Sequence, residues 1–399
     1  TNVPIALRNL ANPDLTWETT EQVNFGLDFT ILKGFVSGNI DLYNKTTKDL
    51  LQNSDIPPSS GFTRILVNKG SITNNGFELA LNFNPISSED IELSFGGNIS
   101  FNKTEIENLD SQPLQGFYEN GVMTDRRFYY GNTISRGAIF RYPANVFVEG
   151  EESSLFYGFK TDGIYQTNDS DIVNGSVPGD VRIVDQLTED SNGDGILDSG
   201  DGLIDEKDRT FLGNPNPDFV YGFNFDLKYK RWNLSALFNG VYGNDIVNGM
   251  LLQLDNAEGR AFANILTDAY NNAWRPGNPS NTHPRIGYTT RGQIAITDRI
   301  IEDGSYLRLN NLTISYDIPV DEKNFIDNLN LYIAGQNLFT WTSYSGYNPE
   351  VSTFLYTGLI NGVDWNGGVN ARNILLGINI KFWTKKLEIN WKNIYYKKL

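Results

Sequence analysis

Alternation of apolar and polar residues with a period of two recurs along most of this 399-residue chain. In VNFGLDFTI (residues 23–31), every second side chain is apolar, and the residues between are Asn, Gly, Asp and Thr. This period places the two kinds of residue on opposite faces of a β-strand. Eight further segments repeat it: FVSGNIDLY (35–43), GFELALNF (76–83), IELSFGGNISF (91–101), DFVYGFNFDLKY (218–229), WNLSALFNGVYG (232–243), YLRLNNLTISYDI (306–318), LNLYIAGQNLF (329–339) and NILLGINIKF (373–382). The pattern predicts an all-β chain with nine strands.

The composition supports this prediction and excludes several kinds of chemistry. Aromatic residues make up 13% of the chain and 38 residues are glycine, which suits strands joined by turns. Cysteine is absent and His283 is the single histidine, which excludes disulfides and thiolate chemistry and leaves little for imidazole catalysis. The net charge of -16 argues against nucleic acid as a partner. Residues 149–208 hold sixteen acidic and three basic residues, a net charge of -13.

The connections between the predicted strands differ sharply in length. Short turns at 32–34, 84–90, 230–231 and 319–328 alternate with long segments at 44–75, 102–217, 244–305 and 340–372. Short turns on one side and long loops on the other are typical of outer-membrane β-barrels, whose strands need only about ten residues to cross the membrane. Soluble β-proteins also alternate. A soluble calcium-dependent carbohydrate-binding β-sandwich and a secreted β-rich glycan hydrolase are therefore retained as alternatives.

The strand count indicates a larger barrel. Nine is odd, whereas bacterial single-chain barrels have an even number of strands. If the last strand ends on the short-turn side, tracing back places the start of the first strand on the long-loop side. We therefore expect the chain to be the C-terminal part of a longer barrel.

Two local features accompany the strands. The apolar positions change register between Leu309 and Leu312, which predicts a β-bulge at Asn310 and Asn311. Residues 249–274 carry apolar residues near helical spacing and precede two prolines, which predicts a short helical excursion within a loop.

Seven motifs follow one another in a distinctive order along the chain. They are NPDLTWETTEQVNFGLDF (12–29), SLFYGFKTDGIYQ (154–166), SNGDGILDSGD (191–201), DEKDRTFLGNPNPDFVYGF (205–223), AYNNAWRPGNPSNTHPR (269–285), IEDGSYLRLNNLTISYDIP (301–319) and GQNLFTWTSYSGYNPEV (335–351). Together they resemble the C-terminal half of the SusC/RagA-like TonB-dependent transporters. The resemblance implies that residues 1–382 form later strands and loops of a 22-stranded transmembrane antiparallel β-barrel, with 102–217 and 244–305 as long extracellular segments.

The same resemblance implies a function and partners. Such proteins lie in the bacterial outer membrane, in contact with its lipid. They import oligosaccharides or peptides together with a SusD-like surface lipoprotein, and they use energy from TonB, which is contacted through an N-terminal part not represented here. They bind and pass their substrates without catalysis.

The last residues depart from the resemblance. Members usually end at an aromatic residue that closes the last strand and acts as an assembly signal, a role that Phe382 would fill. Residues 383–399, WTKKLEINWKNIYYKKL, follow it here. We interpret them as an atypical basic-aromatic tail.

An acidic loop carries calcium-ligand spacing. In DSNGDGILDSGD, oxygen ligands occur at positions 1, 3, 5 and 12 of a twelve-residue loop, with glycine at position 6, a backbone carbonyl at 7 and a carboxylate at 9. The candidate ligands are Asp190, Asn192, Asp194, Ile196, Asp198 and Asp201, with Asp205 and Asp208 as additional candidates. The spacing predicts a structural Ca²⁺ site, against the plainer reading of a solvated Asp/Gly loop.

Aromatic residues in the predicted loops are candidates for contact with a substrate or a lid, because rings stack on sugars. They are Tyr129, Tyr130, Tyr157, Trp274, Trp341, Tyr344, Tyr347 and Trp365. Loop packing or a membrane-interface role is the competing interpretation for each.

Overall fold

The structure of the chain is a computed structural model. It describes residues 10–56, 61–62, 64–109, 117–134, 143–173, 175–254, 264–286, 295–320, 325–353, 358 and 360–382. The basic-aromatic tail at 383–399 lies outside these residues.

Twenty-two strands and two short α-helices are present in the described part of the chain. The strands are β1 (Thr19–Ile31), β2 (Val36–Lys48), β3 (Leu51–Asp55), β4 (Arg64–Asn68), β5 (Ser71–Ser87), β6 (Ile91–Asn108), β7 (Phe117–Glu119), β8 (Val122–Thr124), β9 (Phe128–Tyr130), β10 (Asn145–Val148), β11 (Leu155–Phe159), β12 (Thr161–Ile164), β13 (Val181–Ile183), β14 (Arg209–Gly213), β15 (Phe219–Tyr229), β16 (Trp232–Tyr242), β17 (Asp245–Asn248), β18 (Ile301–Asp303), β19 (Tyr306–Ile318), β20 (Ile326–Thr342), β21 (Val363–Asp364) and β22 (Asn373–Phe382). The helices are α1 (Gly249–Leu254) and α2 (Thr267–Asn272), and single 3-10 turns lie at Leu32–Gly34, Glu206–Asp208 and Asp298–Ile300.

Nine long strands form one antiparallel sheet, here called the main sheet. Its order is β1-β2-β5-β6-β15-β16-β19-β20-β22, so each strand pairs with the next long strand along the chain. All nine predicted strands are confirmed. Five of them are longer than predicted, since β1 and β2 have 13 residues each and β5, β6 and β20 have 17, 18 and 17.

The main sheet has one apolar face and one polar face. On the apolar face, the cross-strand row Leu27, Ile40, Leu79, Ile99 and Tyr221 runs through five neighbouring strands. Many large side chains of this face are exposed, including Phe25 (64%), Ile374 (69%) and Leu376 (82%). Water is a poor solvent for such a surface, so this face needs an apolar medium or partner.

Aromatic rings mark both ends of the apolar face. Near the short turns, Trp232 pairs with Tyr229 and its ring lies 4.8 Å from the ring of Tyr316. Near the long connections, Phe219 and Tyr242 stack at 5.0 Å. Aromatic girdles at the two interfaces are typical of membrane-spanning strands.

The predicted irregularity in β19 is confirmed. Leu309 pairs with Phe238, whereas Asn311 pairs with Leu237, so Asn310 is an extra residue in the ladder. The register to β20 shifts at the same place. The bulge returns the apolar residues on both sides of it to one face.

The long connections fold together into a second region, here called the loop layer, made of the described parts of 109–218, 243–305 and 343–372. It contains a four-stranded sheet, β14-β11-β10-β9, and a three-stranded sheet, β18-β17-β21. The predicted helical excursion is found as α1 and α2, and residues 255–263 between them lie outside the described residues. None of the described helices is long and apolar enough to cross a membrane.

A buried hydrophobic core joins the three connections. Its members come from positions up to about 230 residues apart in the chain and are almost inaccessible to water: Ile134, Ala144, Phe156, Val247, Ile296, Ile300, Ile360, Val363 and Trp365. Asn145, which is 1% exposed, adds a polar link between two connections. Its side chain donates to the carbonyl oxygen of Asn361 at 3.1 Å and accepts from the Asn361 N–H at 3.1 Å.

Candidate functional site

The polar face of the main sheet is a continuous hydrogen-bonded surface. Along single strands, the Asn39 amide donates to Asp41 and the Asn224 amide donates to Asp226, both at 2.9 Å. Across strands, Asn233 donates to Asp317 at 3.1 Å. Amides and carboxylates bonded in this way still have unused donor and acceptor groups, because each Asn and Asp carries several. The face can therefore bind polar solutes or a polar protein surface.

Glycines bring large side chains close to the polar face. The Tyr43 ring covers Gly76 in the neighbouring strand, where a Cβ atom would lie 2.0 Å from the ring. Tyr332 covers Gly377 in the same manner. A larger residue at either glycine would displace the ring, so these rings are held flat against the sheet.

A buried ion pair ties the loop layer to the polar face near the long connections. The guanidinium of Arg308 in β19 pairs with the carboxylate of Glu350, and the Arg308 side chain is only 4% exposed. Arg308 also donates to the side-chain oxygens of Thr340 and Asn348, both at 2.9 Å. The Tyr306 hydroxyl donates to Glu350 at 2.6 Å. The segment after β20 is thus attached to the sheet by charge-assisted hydrogen bonds.

Sequence reasoning did not single out Arg308 or Glu350. Arg308 occupies a polar-face position of a correctly predicted strand, where a charged residue is ordinary. Glu350 lies 42 residues away, and no spacing rule connects the two. Only the fold brings them together.

Six of the eight candidate aromatic residues are packed within the loop layer. Tyr157, Tyr344 and Trp365 are 1%, 5% and 2% exposed. The Tyr157 hydroxyl donates to the Tyr118 carbonyl at 2.6 Å, and the Tyr344 hydroxyl donates to Asp364 at 2.7 Å. Their ring faces are covered by protein in this conformation.

The other three packed rings belong to separate hydrophobic clusters. Trp274 is 8% exposed and donates through its indole N–H to Gln166 at 3.0 Å. Tyr129 stacks on Phe147 at 4.7 Å, and burial raises the pKa of Tyr129 to about 12. Tyr130 packs against the cluster that contains Tyr157. These rings support the loop-packing interpretation.

Trp341 and Tyr347 are the exposed members of the set, at 52% and 71%. The prediction that Trp341 lies in a loop is wrong, because β20 continues to Thr342 and Trp341 pairs with Leu307 on the apolar face. Phe339, two residues earlier, stacks against it at 6.0 Å. Trp341 therefore belongs to the aromatic residues at the end of the apolar face, and Tyr347 remains the exposed loop ring.

Phe382 is the last residue of β22, as the sequence indicates. It pairs with Ile326, and its ring lies 5.1 Å from that of Phe325. Its side chain is 49% exposed on the apolar face.

The acidic loop folds around its own first carboxylate. Asp190 accepts from the backbone N–H groups of Gly193 and Gly195 at 2.6 and 2.7 Å, and of Asp194 at 3.1 Å. These hydrogen bonds, first among them the one from Gly195, lower the pKa of Asp190. Gly193 and Gly195 have φ of 78° and 86°, a conformation that favours glycine. The loop is thus built as a tight turn around an ionised carboxylate.

The remaining candidate ligands have separate partners. Asn192 accepts from Asp194 N–H at 2.9 Å, and Asp194 accepts from Ile196 N–H at 2.9 Å. Asp198 accepts from Ser191 N–H at 2.8 Å, and Asp201 accepts from Lys207 at 2.7 Å. Within the described residues, no three carboxylate or imidazole groups converge on one point as metal ligands would. The calcium site stays a prediction.

Asp205 and Asp208 have a structural role in this conformation. Asp205 caps the 3-10 turn that follows it by accepting from Lys207 N–H at 2.8 Å. Asp208, 1% exposed, accepts from Asp205 N–H at 2.7 Å and from Gln186 N–H at 2.8 Å. Burial raises the pKa of Asp208 to about 6, because water no longer solvates its charge.

The chain is similar in sequence to known proteins. Residues 3–148 match the family model described as TonB dependent receptor-like, β-barrel. TonB-dependent receptor P3 of Formosa agariphila is 31% identical over 389 residues, which cover 95% of this chain and 35% of the relative. TonB-dependent receptor SusC of Bacteroides thetaiotaomicron is 28% identical over 377 residues, which cover 93% of this chain and 32% of the relative. The chain thus spans about a third of the length of these relatives.

Solved structures share the fold. The RagAB peptide transporter superposes with a TM-score of 0.69 at 24% identity, over 93% of this chain and 36% of that one. The RagAB peptide importer in its open-open state gives a TM-score of 0.70 at 23% identity, over 94% and 36%. The curated relatives are named as TonB-dependent receptors rather than enzymes, which argues against the hydrolase alternative. The exposed apolar face of the main sheet removes the soluble sandwich.

Proposed function

Because this chain carries the β-barrel of a TonB-dependent receptor of the SusC/RagA type and lies in the bacterial outer membrane, we propose that it supplies later strands and outer loops of an importer. The importer takes up oligosaccharides or peptides, works with a SusD-like surface lipoprotein and draws its energy from TonB. In this arrangement the polar face of the main sheet lines the lumen, the apolar face contacts lipid, and the loop layer stands at the outer mouth.

The observation that carries the proposal is the two-faced main sheet with rings at both ends. Strand β15 spans Phe219 to Tyr229, eleven residues. At about 3.3 Å per residue it is roughly 33 Å long. A tilt of about 40° brings its height to roughly 25 Å, the height of the apolar band of outer-membrane barrels. The aromatic residues thus fall where the two membrane interfaces would lie.

The polar face supports passage of a polar solute. Its groups are amides, hydroxyls and carboxylates, with few cations, as in the Asn39–Asp41 and Asn224–Asp226 pairs. Such groups hydrogen-bond sugar hydroxyls and peptide amides alike. Peptide is favoured by the fold shared with the RagAB peptide transporter, and oligosaccharide is the other substrate class that the resemblance implies.

Uptake by whole cells tests the proposal. The full-length gene would be deleted in its own bacterium, and import of fluorescent oligosaccharide and peptide mixtures would be measured with and without active TonB. We expect deletion to abolish import of one class, and loss of TonB activity to have the same effect. Unchanged import of both classes in the deletion strain would contradict the proposal.

A structural calcium ion in the acidic loop is a second proposal. It is supported by the ligand spacing from Asp190 to Asp201 and by the net charge of -13 over residues 149–208, which a cation would offset. Binding would require the carboxylates to exchange their backbone hydrogen bonds for the ion. We expect chelation of Ca²⁺ to increase proteolytic cleavage near residue 200 of the full-length protein at least several-fold. In a variant with Asp190→Asn and Asp194→Asn, cleavage should already be fast and should not respond to chelator; equal cleavage of the unaltered protein with and without Ca²⁺ would refute the site.

A further inference from the structure

A groove crosses the apolar face at its long-connection end, under the edge of the loop layer. It has a volume of about 720 Å³, within the range of small-molecule sites. Its floor is the cross-strand row Phe25, Leu42, Phe77 and Phe101, from β1, β2, β5 and β6. The groove therefore opens towards the membrane rather than towards the lumen.

The next row outward along the same strands is polar on three of its four strands. Beyond the floor come Val23 on the edge strand and then Asn44, Asn75 and Lys103, all on the same face as the floor residues. The Asn44 amide donates to Asn75 at 2.6 Å. This bond uses one N–H and one lone pair, and both exposed amides have further donors and acceptors. The groove thus changes from apolar to hydrogen-bonding within one row.

Residues of the loop layer complete the upper edge. Glu152 and Asp218 line the groove above the polar row, and Pro217 lies beside them. Glu105, two residues from Lys103, forms an ion pair with it at 3.6 Å. Carboxylates thus outnumber the single ammonium group along this edge, which disfavours an anionic head group. Hydroxyl groups, in contrast, donate well to carboxylates and exchange hydrogen bonds with amides.

We propose that this groove is a binding site for a glycolipid of the outer leaflet, with an acyl chain on the Phe25–Phe101 floor and sugar hydroxyls on the Asn44–Asn75 edge. Its depth matches the boundary where acyl chains meet head groups, since the aromatic pair Phe219 and Tyr242 lies at the same end of the sheet and Phe219 contacts Phe101 at 5.4 Å. The site needs the membrane location of the chain, and it is independent of which substrate is imported.

Native mass spectrometry of the full-length protein in mild detergent tests the site, with monogalactosyl diacylglycerol, a glycolipid without phosphate, and phosphatidylethanolamine added in equal amounts. The variant Asn75→Trp fills the groove with a ring, and Leu376→Trp places the same ring on the apolar face outside the groove. We expect unaltered protein and Leu376→Trp to retain the glycolipid, and Asn75→Trp to retain about tenfold less, the effect of roughly 1.4 kcal/mol.

A second variant keeps the test decisive if Asn75→Trp does not fold. Asn44→Ala combined with Asn75→Ala leaves the floor intact and removes the amide edge, so retention of the glycolipid should fall severalfold while that of phosphatidylethanolamine stays unchanged. Equal retention in all variants would mean ordinary annular lipid and would overturn the proposal. Preferential retention of phosphatidylethanolamine, or cross-linking of another protein at position 75 in place of lipid, would overturn it as well.

Discussion

The main sheet and the loop layer bury their apolar residues in opposite ways. In the main sheet, side chains such as Ile374 and Leu376 face outward and are 69% and 82% exposed. In the loop layer, Phe156, Val247 and Trp365 are 0–2% exposed inside a core that the protein itself provides. The first region depends on lipid to cover its apolar face, and the second is stabilised as a water-soluble domain is. One chain thus contains a region that lipid covers and a region that covers its own core, and different substitutions should destabilise each.

The two regions also differ in how far apart in sequence their contacts are made. Each long strand of the main sheet pairs with the next one along the chain. The core of the loop layer joins residues from three connections, such as Ile134 and Trp365. We infer that the loop layer can form only after the sheet has brought the ends of these connections together.

Truncation of the loop-layer core has the largest expected effect. Phe156→Ala should lower the stability of the loop layer by about 3–5 kcal/mol, because a fully buried ring is lost and a cavity remains. Limited proteolysis of the full-length protein should then show rapid cleavage within 109–218, while the barrel keeps its heat-modifiable migration on gels. Tyr347→Ala, at a side chain that is 71% exposed in the same layer, is the control and should change stability by less than about 0.5 kcal/mol. Loss of both regions in Phe156→Ala would show that they are not separable.

A charge on the apolar face tests whether lipid covers this face of the main sheet. Leu312→Lys in β19, near the middle between the two aromatic ends of the apolar face, should cost about 2–4 kcal/mol in a bilayer because the ammonium group is placed in lipid. Thr313→Lys, one residue on and on the polar face, should cost less than about 1 kcal/mol. Urea unfolding of full-length protein in lipid vesicles gives both values. Equal costs at the two positions would contradict the assignment of the faces.

Removal of Glu350 loosens the joint between the two regions. Glu350→Ala leaves the buried guanidinium of Arg308 without its counter-charge, which should cost about 2 kcal/mol. We expect faster proteolysis within 343–372, and slower cleavage again in the double variant Arg308→Met with Glu350→Ala. If the double variant is cleaved as fast as Glu350→Ala, the uncompensated charge is not the cause.

Titration of Asp208 has the smallest expected effect. Its folded-state pKa of about 6 lies above the ordinary value of 3.8, so the folded loop layer holds a proton that the unfolded chain releases between these values. The stability of the loop layer should therefore be greatest below pH 4 as far as this group is concerned and should fall by roughly 2 kcal/mol as the pH rises from about 4 to about 6. Proteolysis within 185–210 at pH 5 and pH 7 should show the difference, and Asp208→Asn should remove it.

The sequence predicts the main sheet well because its signal is local. Every strand carries its own period of two, and the register shift at Asn310 is visible as a break in that period. The loop layer has no such signal. Tyr157, Tyr344 and Trp365 look like exposed loop rings in the sequence, yet they are core residues because segments distant in the chain cover them.

The candidate sites show the same difference between signals from one short segment and contacts between distant segments. Calcium spacing is read from one short segment, so Asp190 to Asp201 were identifiable as candidates. The predicted strand end at Phe339 is three residues too early, because the alternation continues through Thr340, Trp341 and Thr342 and pairing with β19 extends the strand to Thr342. The Arg308–Glu350 pair and the groove at Asn44 and Asn75 join several strands and connections, and they follow only from the fold.

The claim that lipid covers the main sheet while the protein covers the core of the loop layer is tested most directly by spin labels placed along β15 and in β11. The chain has no cysteine, so single-cysteine variants label cleanly. In full-length protein in vesicles, labels at 223, 225 and 227 should be accessible to oxygen dissolved in lipid, and labels at 224 and 226 to a water-soluble nickel complex. A label at the half-buried Leu155 in β11 should not be reached by oxygen dissolved in lipid. Loss of the alternation along β15, or lipid access at β11, would contradict the account.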